Sequence, residues 1–524
     1  MNRLCLALTL FAAIFAAACG GGGSTPIPPP PVGNFSNASL KGQYSFSMSG
    51  QDGSTGLFFA RIGSFIADGN GNITGGIEDV NLAGAEESLA FTPSTYTVQA
   101  NGHGALNLIN STGTLSFSIT LLSATQGLIA QTDGFATAGG TFVIQNTGSF
   151  NTAGISGNYA FDFSGVDPAG LPDSIIGQLV SNGSGGLSGL LDENDNASTS
   201  GAAPITGGSY QMDATNGATF GRGTASFTAN GFTFNYVFYI VNNSRFLMIE
   251  SGVSAGLTVG AAASQSSVPT SNATFNGDFA FLASGTGLQG GLLTRIGRFT
   301  ADGNGGLGKV FADTNDNGTV AQVPSSNGAL SATTYAIDTT NAGTGRGILT
   351  FTDSHLGKFQ FVFYLSSPST GVIQDVSANN VADGTVQLQT GAPFSNSSLA
   401  GDYGFTLTGL SSNNNTGVVA EEDFVGQLAF STAASNNVTG IVDFSEFSSN
   451  QGVFLNVVLS GNGLTVGGDG TTSSGTRNTL ALKPLTSPSA TINFVAYFVD
   501  SQHMFVAGTD SNRVISGVIT MQAP

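Results

Sequence analysis

The sequence predicts an all-β protein made of four tandem antiparallel meander domains, each with about eight strands and barrel-like. Apolar and polar residues alternate with a period of two, as they do from Phe232 to Ile240. Short runs of Gly, Asn and Asp, which are typical of tight turns, separate these segments. One pattern also recurs at the spacing of a whole small domain. No stretch shows helical periodicity with caps.

The repeat opens with a glycine, an aromatic residue two positions later and a phenylalanine after two more. The leading glycines lie 115, 120 and 124 positions apart and are Gly42, Gly157, Gly277 and Gly401. A small polar stretch such as Phe35-Ser-Asn-Ala precedes each opening and is predicted to be a short linker. The predicted domains are a signal peptide (1–18), a Gly/Pro tether (19–34) and four β repeats (35–150, 151–270, 271–391 and 392–524).

Strands can be assigned in order along the first repeat. They are predicted at 43–49, 58–67, 72–80, 94–100, 104–110, 115–123, 127–133 and 140–146. Turn signals such as Asp68-Gly69-Asn70-Gly71 and Asn101-Gly102 separate them. Short connections favour pairing between neighbours, so the meander should close into an up-and-down barrel, which removes its exposed edges. A β-sandwich is the alternative.

A strand–turn–strand stretch recurs inside the repeats. Arg61 to Gly76 reads RIGSFIADGNGNITGG, and Arg295 to Gly308 reads RIGRFTADGNGGLG; fainter copies begin at Ile176 and Val425. Together with the Gly-x-Tyr-x-Phe opening, this hairpin resembles the first strands of avidin and lipocalin-like barrels. The resemblance implies an up-and-down barrel. Avidin-type pockets depend on Trp and this chain has none, so no ligand-binding residue is carried over.

Composition excludes one class of partner and describes the surface. The net charge is −19 and there are four Lys, so a nucleic-acid backbone would be repelled. Charged residues make up only 9% of the chain, which leaves Gly, Ser, Thr and Asn to form most of the polar surface. We expect the acidity to serve solubility, with cation binding as the alternative.

The N-terminus resembles a bacterial lipoprotein signal. Arg3 precedes an apolar run that ends in Ala16-Ala17-Ala18-Cys19, and this run is too short to span a membrane comfortably. The resemblance implies lipid attachment at Cys19, although such signals usually carry Leu where Ala16 stands, and ordinary cleavage is the alternative. Residues 20–33 would then be a tether. The expected location is the cell envelope, lipid-anchored at the outer membrane or cell surface.

Acidic and amide residues follow the third strand at equivalent places, which makes them candidate calcium ligands. They are Asp79, Asn81, Asp192, Asn194, Asp313 and Asn315. Asx-turn structure is the interpretation that we favour over calcium, and the fourth repeat has Asp443-Phe-Ser instead. The Asp68 and Asp302 turns allow the same two interpretations, and there we favour a hairpin turn. No other cofactor is expected.

Catalysis finds little support, so we expect a non-enzyme. His103, His355 and His503 fall at different places in their repeats. Three Gly-x-Gly stretches are predicted to be turns into the fifth strand, because no helix follows them to hold a phosphate. The Arg of such a stretch is expected to pair with a carboxylate. The stretches are Gly102-His-Gly104, Gly221-Arg-Gly223 and Gly345-Arg-Gly347. Glu421-Glu422-Asp423 is predicted to be an exposed acidic loop and, alternatively, a glycoside-hydrolysis cluster.

The function that the sequence favours is binding or adhesion at the cell surface, with a polysaccharide or matrix polymer as the partner. Tandem copies would gain avidity for such a repetitive partner. The alternative is a carrier that holds a small apolar ligand inside each barrel, which predicts an aromatic-lined cavity. A glycan-active enzyme ranks lower, and polar strand faces rich in Ser, Asn and Asp argue against a membrane-spanning barrel.

Overall fold

Four antiparallel sheets, each formed by one sequence repeat, make up the fold. The structure is a computed structural model. It describes residues 34–82, 84–252, 256–287, 291–395, 399–412, 419–431, 437–446, 452–460, 463–466, 477–484 and 491–524. The predicted all-β class is confirmed, and within these ranges the one α-helix is α1 (Gly217–Phe220). In the text below, repeat 1 is β1–β8, repeat 2 is β9–β16, repeat 3 is β17–β25 and repeat 4 is β26–β34.

Repeats 1 and 2 each close into a barrel of eight strands in sequence order. Repeat 1 contains β1 (Lys41–Asp52), β2 (Phe58–Asp68), β3 (Asn72–Leu82), β4 (Ala85–Val98), β5 (His103–Asn110), β6 (Gly113–Ser123), β7 (Gln126–Gln131) and β8 (Ala136–Ile144). Repeat 2 contains β9 (Ser156–Val166), β10 (Pro172–Asn182), β11 (Gly186–Asp195), β12 (Ser198–Met212), β13 (Arg222–Ala229), β14 (Phe232–Asn242), β15 (Arg245–Glu250) and β16 (Leu257–Ser264).

Repeats 3 and 4 are curled sheets of nine strands whose edge strands are neighbours in sequence. Repeat 3 contains β17 (Asn276–Gly287), β18 (Gly291–Asp302), β19 (Leu307–Asp316), β20 (Thr319–Val323), β21 (Leu330–Ile337), β22 (Arg346–Asp353), β23 (Gly357–Ser367), β24 (Thr370–Asp375) and β25 (Asn380–Leu388). Repeat 4 contains β26 (Gly401–Ser412), β27 (Val419–Phe430), β28 (Val438–Glu446), β29 (Gly452–Ser460), β30 (Gly463–Thr465), β31 (Arg477–Leu482), β32 (Ile492–Phe498), β33 (His503–Gly508) and β34 (Arg513–Met521).

The extra strand in repeat 3 arises because its fourth strand is divided. Pro324 follows β20 directly and has no N–H to donate to a ladder, so pairing stops there and resumes at β21. A single antiparallel bridge between Gly306 and Thr334 crosses the seam. The predicted closed barrel is therefore complete in repeats 1 and 2 and interrupted along one strand in repeat 3.

Each repeat has a closed end, and the segments predicted to be linkers form it. In repeat 1, Phe35 is buried and its N–H donates to the Ala100 carbonyl (3.1 Å). The Tyr96 hydroxyl donates to the Leu40 carbonyl (2.7 Å), which fixes the segment across the barrel. The linker interpretation was wrong here, because the apolar side chains within these stretches complete the core. The counterparts in the described part of the chain are Phe150, Ile155, Phe275, Phe394 and Leu399, all buried.

The repeats pack in a cyclic order, and their described residues belong to one compact unit. The first strands of repeat 1 contact the last strands of repeat 2; repeats 2 and 3, and then 3 and 4, repeat this arrangement. The first strands of repeat 4 contact β6, β7 and β8 of repeat 1, which closes a ring. Each contact buries a small apolar cluster that is separate from the barrel cores.

A glutamine at the end of each repeat reaches into its neighbour. The Gln145 side-chain amide donates to the Ile240 carbonyl (2.7 Å), and that of Gln265 donates to the Leu365 carbonyl (2.7 Å). Gln389 makes the same bond to the Phe498 carbonyl in repeat 4. The Gln522 amide donates to the Leu121 carbonyl of repeat 1 (2.7 Å). The C-terminal residues therefore complete the ring.

Candidate functional site

The candidate calcium ligands of the third strand lie at the contacts between repeats. Both carboxylate oxygens of Asp79 accept bonds from Arg222 of repeat 2, at 2.9 Å from Nε and 2.7 Å from Nη2. The Tyr239 hydroxyl also donates to Asp79 (2.6 Å). Burial, and then the charge of Asp79, raise the pKa of Tyr239 well above its usual value, so this hydroxyl keeps its proton. Charge and hydrogen-bond donors thus compensate the cost of burying Asp79.

The same three residue types recur at the next two contacts. Arg346 donates to both oxygens of Asp192 (2.7 Å each), and Tyr364 donates to one of them (2.6 Å). Arg477 and Tyr497 hold Asp313 in the same way. The hydrogen bond to Asp192 raises the pKa of Arg346. These bidentate pairs fix the orientation of one repeat against the next.

The fourth contact uses different residues at the same positions. Nε2 of His103 lies 3.0 Å from Oδ2 of Asp443, and the Ser118 hydroxyl donates to the same oxygen (2.6 Å). His103 pairs with Thr120 across β5 and β6, as Arg222 pairs with Tyr239 in repeat 2, so Thr120 stands where the tyrosines stand. Burial would raise the pKa of Asp443, but the bond and charge of His103 lower it.

The asparagines of the candidate calcium set also bond across repeats. The Asn81 amide donates to the Glu250 carbonyl (3.0 Å), and that of Asn194 to the Asp375 carbonyl (2.9 Å). The Asn315 amide donates to the Gly508 carbonyl (3.0 Å). In the described part of the chain, no three acidic, histidine or cysteine side chains are arranged to hold a metal ion. Calcium binding at these positions stays a prediction, and a calcium ion would have to displace the arginines.

Arg222 is the first residue of β13, and Arg346 is the first residue of β22, so the predicted turn into the fifth strand is confirmed. The predicted pairing of this arginine with a carboxylate is also observed. Each arginine pairs with one carboxylate of the preceding repeat and with one of its own repeat, which is Asp213 for Arg222 and Asp338 for Arg346. One signal for this contact was available in the sequence, because one Asp and one Arg recur together in successive repeats.

The exposed apolar side chains gather at one end of the repeats, the open end. This is the end with the β1–β2, β3–β4, β5–β6 and β7–β8 turns and their counterparts, opposite the closed end. The large apolar residues exposed in the described part of the chain all lie in or beside these turns, and they are Leu57, Phe135, Leu171, Phe232, Val320, Leu356 and Leu455. Exposed apolar surface concentrated on one face indicates an interaction surface.

A cavity of about 320 Å³ opens where the four repeats meet. Equivalent positions of all four repeats line this cavity, so the four open ends face the same side of the molecule. One set of equivalent positions is Phe58, Pro172, Leu292 and Glu421, and another is Ser49, Ser164, Ser284 and Thr408. Apolar side chains such as Leu292, hydroxyl groups and glycine backbone form most of the lining, and Asp173, Asp383 and Glu421 add carboxyl groups.

The open end of repeat 1 holds a second cavity, of about 340 Å³. Apolar side chains including Phe59 and Phe135 line it together with Arg61. Nη1 of Arg61 lies 2.9 Å from Oε2 of Glu78, which is fully buried, and Asn110 donates to the other oxygen of Glu78 (2.8 Å). The barrel below is filled by stacked aromatic side chains such as Tyr44 and Phe65.

The acidic run Glu421-Glu422-Asp423 lies within β27, so its prediction as an exposed loop was wrong. Glu422 points into repeat 4, fully buried, and accepts from Nη2 of Arg513 (3.1 Å). Asp423 is buried on the opposite face, against Gly139 of repeat 1. Burial raises the pKa of both Glu421 and Asp423 well above the usual values. Each carboxylate is thus part of the packing, which sequence alternation alone did not reveal.

One serine–histidine contact in repeat 3 lacks the geometry of a catalytic triad. The Ser325 hydroxyl lies 3.0 Å from Nδ1 of His355, in an exposed position. Asp353 accepts from the Ser325 hydroxyl itself (2.7 Å) and from backbone N–H groups. A triad needs the carboxylate to orient the imidazole, and Asp353 does not do so here. His503 bonds to Asp500 on the surface (2.9 Å).

The predicted signal peptide, Cys19 and tether lie outside the described residues. Their assignment stays a prediction. Within the described ranges, no helix is long and apolar enough to cross a membrane.

Comparison with known proteins leaves the chain without a family. No family model matches it, and no curated protein matches it. A solved structure of intact Ap-TbpB (N and C lobes) is 10% identical, with a TM-score of 0.17 over 75% of this chain and 83% of that chain. Isotype 1 transferrin binding protein B from serogroup B Neisseria meningitidis is 9% identical, with a TM-score of 0.20 over 76% and 84%. Pseudomonas aeruginosa OccK8 (OprE) reaches a TM-score of 0.10 at 9% identity over 92% and 96%. Scores this low establish no common fold, so function must be argued from the chain itself.

Proposed function

We propose that this protein is a non-enzymatic, lipid-anchored surface protein that binds an extracellular polysaccharide through its open end. The observation that carries the proposal is the concentration of exposed apolar side chains at that end. Phe135 and Phe232 are 69% and 67% exposed, and an aromatic ring offers a large and rigid contact surface. Hydroxyl groups such as Ser49 and Ser164 line the cavity between the repeats at the same end and suit a neutral, hydrogen-bonding partner.

The position of the N-terminal residues supports this orientation. Phe35 is buried at the closed end of repeat 1, so the chain arrives there from the tether. If Cys19 carries the lipid, the closed end of repeat 1 is the end joined to the membrane. The open ends of all four repeats share one side and would then face away from it.

The fixed ring changes how four repeats would gain affinity. Independent domains on flexible linkers gain avidity by an effective concentration that the linkers set. Here the bidentate contacts of Asp79, Asp192 and Asp313 hold neighbouring repeats in fixed orientations. A long polymer could thus contact several open ends without further ordering of the protein, which lowers the entropic cost of binding.

A second candidate is the capture of a small apolar ligand at the mouth of repeat 1. The cavity of about 340 Å³ favours it, because Phe59, Phe135 and Leu115 line it and a single charged arginine could orient a polar group. The ligand would sit at the mouth, since stacked aromatic side chains fill the barrel interior.

The experiment compares polysaccharide binding by the full chain with that of open-end and closed-end variants. Phe135→Ala and Phe232→Ala should each weaken binding, because the lost side chains are exposed and do not support the core. Thr74→Ala, in an exposed position at the closed end of repeat 1, is the matched control and should bind normally. Unchanged binding by a double Phe variant would contradict the open-end assignment.

The anchor is tested separately by membrane fractionation. Cys19→Ser should move the protein from the membrane fraction to the soluble fraction. Retention of the variant in membranes would contradict lipid attachment.

The second candidate is tested with an isotope-labelled apolar compound. Equal binding of this compound to the Phe135→Ala variant and to the parent would contradict the second candidate.

A further inference from the structure

Three of the four repeats keep a mostly buried arginine inside the open end, with its side chain 9–12% exposed. In repeat 1, Arg61 pairs with Glu78 at 2.9 Å. In repeat 3, Arg295 pairs with the fully buried Asp375. In repeat 4, Arg513 pairs with the fully buried Glu422. A buried carboxylate needs such a partner, because its charge is costly to bury alone.

Repeat 2 lacks this arginine at both positions that supply it. Arg61 and Arg295 each stand directly before the Ile-Gly pair of the second strand, and repeat 2 has Ile175 there. Arg513 stands nine positions before the interface glutamine, and repeat 2 has Gly256 there. No described lysine or arginine forms an ion pair with the acidic residues at this open end.

The same end of repeat 2 carries four carboxyl groups. Two of them have acidic counterparts in repeat 3, where Asp316 stands for Asp195 and Asp375 for Glu250. Arg295 pairs with Asp375 there, whereas repeat 2 has Ile175 at the position of that arginine. Asp173 and Asp195 face each other across β10 and β11, and Glu193 lies opposite Ile175. Glu250 ends β15 and accepts bonds from the N–H (3.1 Å) and hydroxyl (2.8 Å) of Thr258. In repeat 1 the positions of Asp173, Glu193 and Asp195 are apolar, occupied by Phe59, Val80 and Leu82.

The carboxyl groups are short of donors. Asp173 is 7% exposed, lies on the inward face of β10 with Ile175, and its Oδ1 has no hydrogen-bond partner. Oδ1 of Asp195 also has none. Burial, and then the charges of Glu193 and Asp195, raise the pKa of Asp173 to about 8. Burial raises the pKa of Glu250 to about 7.

We propose that the open end of repeat 2 binds an organic cation, with the ligand's guanidinium or ammonium group in the place that Arg61 and Arg295 occupy in their own repeats. A guanidinium group donates up to five hydrogen bonds in one plane and pairs bidentately with carboxylates, which suits the unpartnered oxygens of Asp173 and Asp195. This assignment is independent of polysaccharide binding and adds a second ligand at one repeat.

Two observations favour an organic cation over a metal ion. In the ranges that the structure describes, no group of three acidic side chains is arranged as a metal ion requires. Aromatic partners for an organic cation are present instead. Arg295 lies 4.6 Å from the ring centroid of Phe359, and Phe234 is the repeat 2 counterpart of Phe359. Phe232, 67% exposed, stands at the rim of the same mouth.

The experiment titrates the full chain at pH 8 with agmatine, which carries one guanidinium and one ammonium group, and measures heat and thermal unfolding. Saturable binding of one agmatine is expected, with a rise in the unfolding temperature. Asp173→Asn should weaken binding about tenfold or more, as the loss of a charge-assisted hydrogen bond predicts. Asp133→Asn, which removes an acidic residue at the open end of repeat 1, is the matched control and should bind normally.

The decisive variant is Ile175→Arg, which places an arginine where repeats 1 and 3 have one. It should abolish agmatine binding and raise the unfolding temperature without any ligand, because the new side chain takes the place of the ligand. If Ile175→Arg does not fold, Glu250→Gln is the second variant, and it should weaken agmatine binding. The proposal is overturned if agmatine shows no saturable binding, if Asp173→Asn and Glu250→Gln bind it unchanged, or if calcium chloride binds and agmatine does not.

Discussion

His103 in repeat 1 and Asp443 in repeat 4 lie 3.0 Å apart, Nε2 to Oδ2, and this contact closes the ring of four repeats. Ser118, which donates to the same carboxylate, is 325 positions away from it in the sequence. The other three contacts join repeats that follow each other along the chain. Repeats 1 and 4 are not consecutive in the chain, so no short connection holds them near each other. Non-covalent contacts close the ring, and they must offset the loop-closure entropy of the chain between the two repeats.

Asp443→Ala is expected to lower the stability of the closed ring. The substitution leaves the buried His103 and Ser118 without their acceptor, at a cost of about 1–3 kcal/mol for each buried donor. Urea unfolding should show a lower midpoint, and hydrogen exchange should show faster opening of β5 and β6. Asp510→Ala, in an exposed turn of the same repeat, serves as the control. Equal exchange in parent and variant would contradict the closing role of Asp443.

Gln522→Ala is expected to weaken the same contact from the C-terminal side. The Gln522 amide satisfies two carbonyls of repeat 1, those of Asn101 (2.9 Å) and Leu121 (2.7 Å). Its loss should cost about 1–3 kcal/mol, and small-angle scattering should report an expanded particle if the ring opens. Gln145→Ala is the informative comparison, since the chain itself still joins repeats 1 and 2. Identical scattering profiles for parent and Gln522→Ala would show that the ring does not need this residue.

The sequence was sufficient to predict the strands and the repeats, and insufficient to predict the ring. Alternating side chains and Asp-Gly turns are local signals, so seven of the eight strands of repeat 1 could be placed within a few residues. The first half of β4, from Ala85, was missed because its inward positions include few apolar residues. Contacts between repeats depend on residues distant in sequence, so Asp79 and Asp192 were considered as calcium ligands or Asx turns, and their contacts with arginines of the next repeat were not predicted.

Stability is expected to fall as pH rises above about 4, partly because of Asp162 and Asp383. These carboxyl groups meet between repeats 2 and 3, where burial and then the charge of Asp383 raise the pKa of Asp162. Burial raises the pKa of Asp383 to about 6. A raised pKa means that the folded state binds more protons than the unfolded state, so stability is present at low pH and is lost as pH rises through about 6.

Asp383→Asn tests this dependence, because an amide can donate to Asp162 at any pH. Thermal unfolding measured from pH 4 to pH 8 should fall less steeply for the variant than for the parent. Asp302→Asn is the contrasting control, since backbone hydrogen bonds lower the pKa of that exposed carboxyl and its contribution is lost on acidification instead. Parallel pH profiles for parent and Asp383→Asn would exclude the pair as a source of the slope.

Buried acidic residues are where sequence-based reasoning was weakest. Glu421-Glu422-Asp423 was expected in an exposed loop because the run resembles an insertion in one repeat. In the structure, Arg513 neutralises Glu422, and burial at the contact with repeat 1 raises the pKa of Asp423 well above its usual value. The burial of Glu422 and that of Asp423 both depend on residues distant in sequence, so no local pattern could have predicted them.

Gly63→Ala is expected to destabilise repeat 1, because two sequence motifs meet there. Phe46, from the Gly-x-Tyr-x-Phe opening, pairs across β1 and β2 with Gly63, from the Arg-Ile-Gly stretch. A Cβ at Gly63 would lie 2.5 Å from the Ile77 carbonyl oxygen and 2.7 Å from the Phe46 ring. Overpacking of this kind costs about 1–3 kcal/mol, and a lower midpoint of thermal unfolding would report it.

Gly75→Ala is the matched control on the neighbouring strand. A Cβ at Gly75 would meet nothing within 4 Å, so the substitution should leave the unfolding midpoint almost unchanged. Phe161 and Gly177 in repeat 2, and Phe405 and Gly426 in repeat 4, form the same cross-strand pair. Gly177→Ala and Gly426→Ala should therefore resemble Gly63→Ala. If all of these variants unfold at the same temperature as the parent, the contact between the Phe ring and the Gly does not explain why the two motifs recur together.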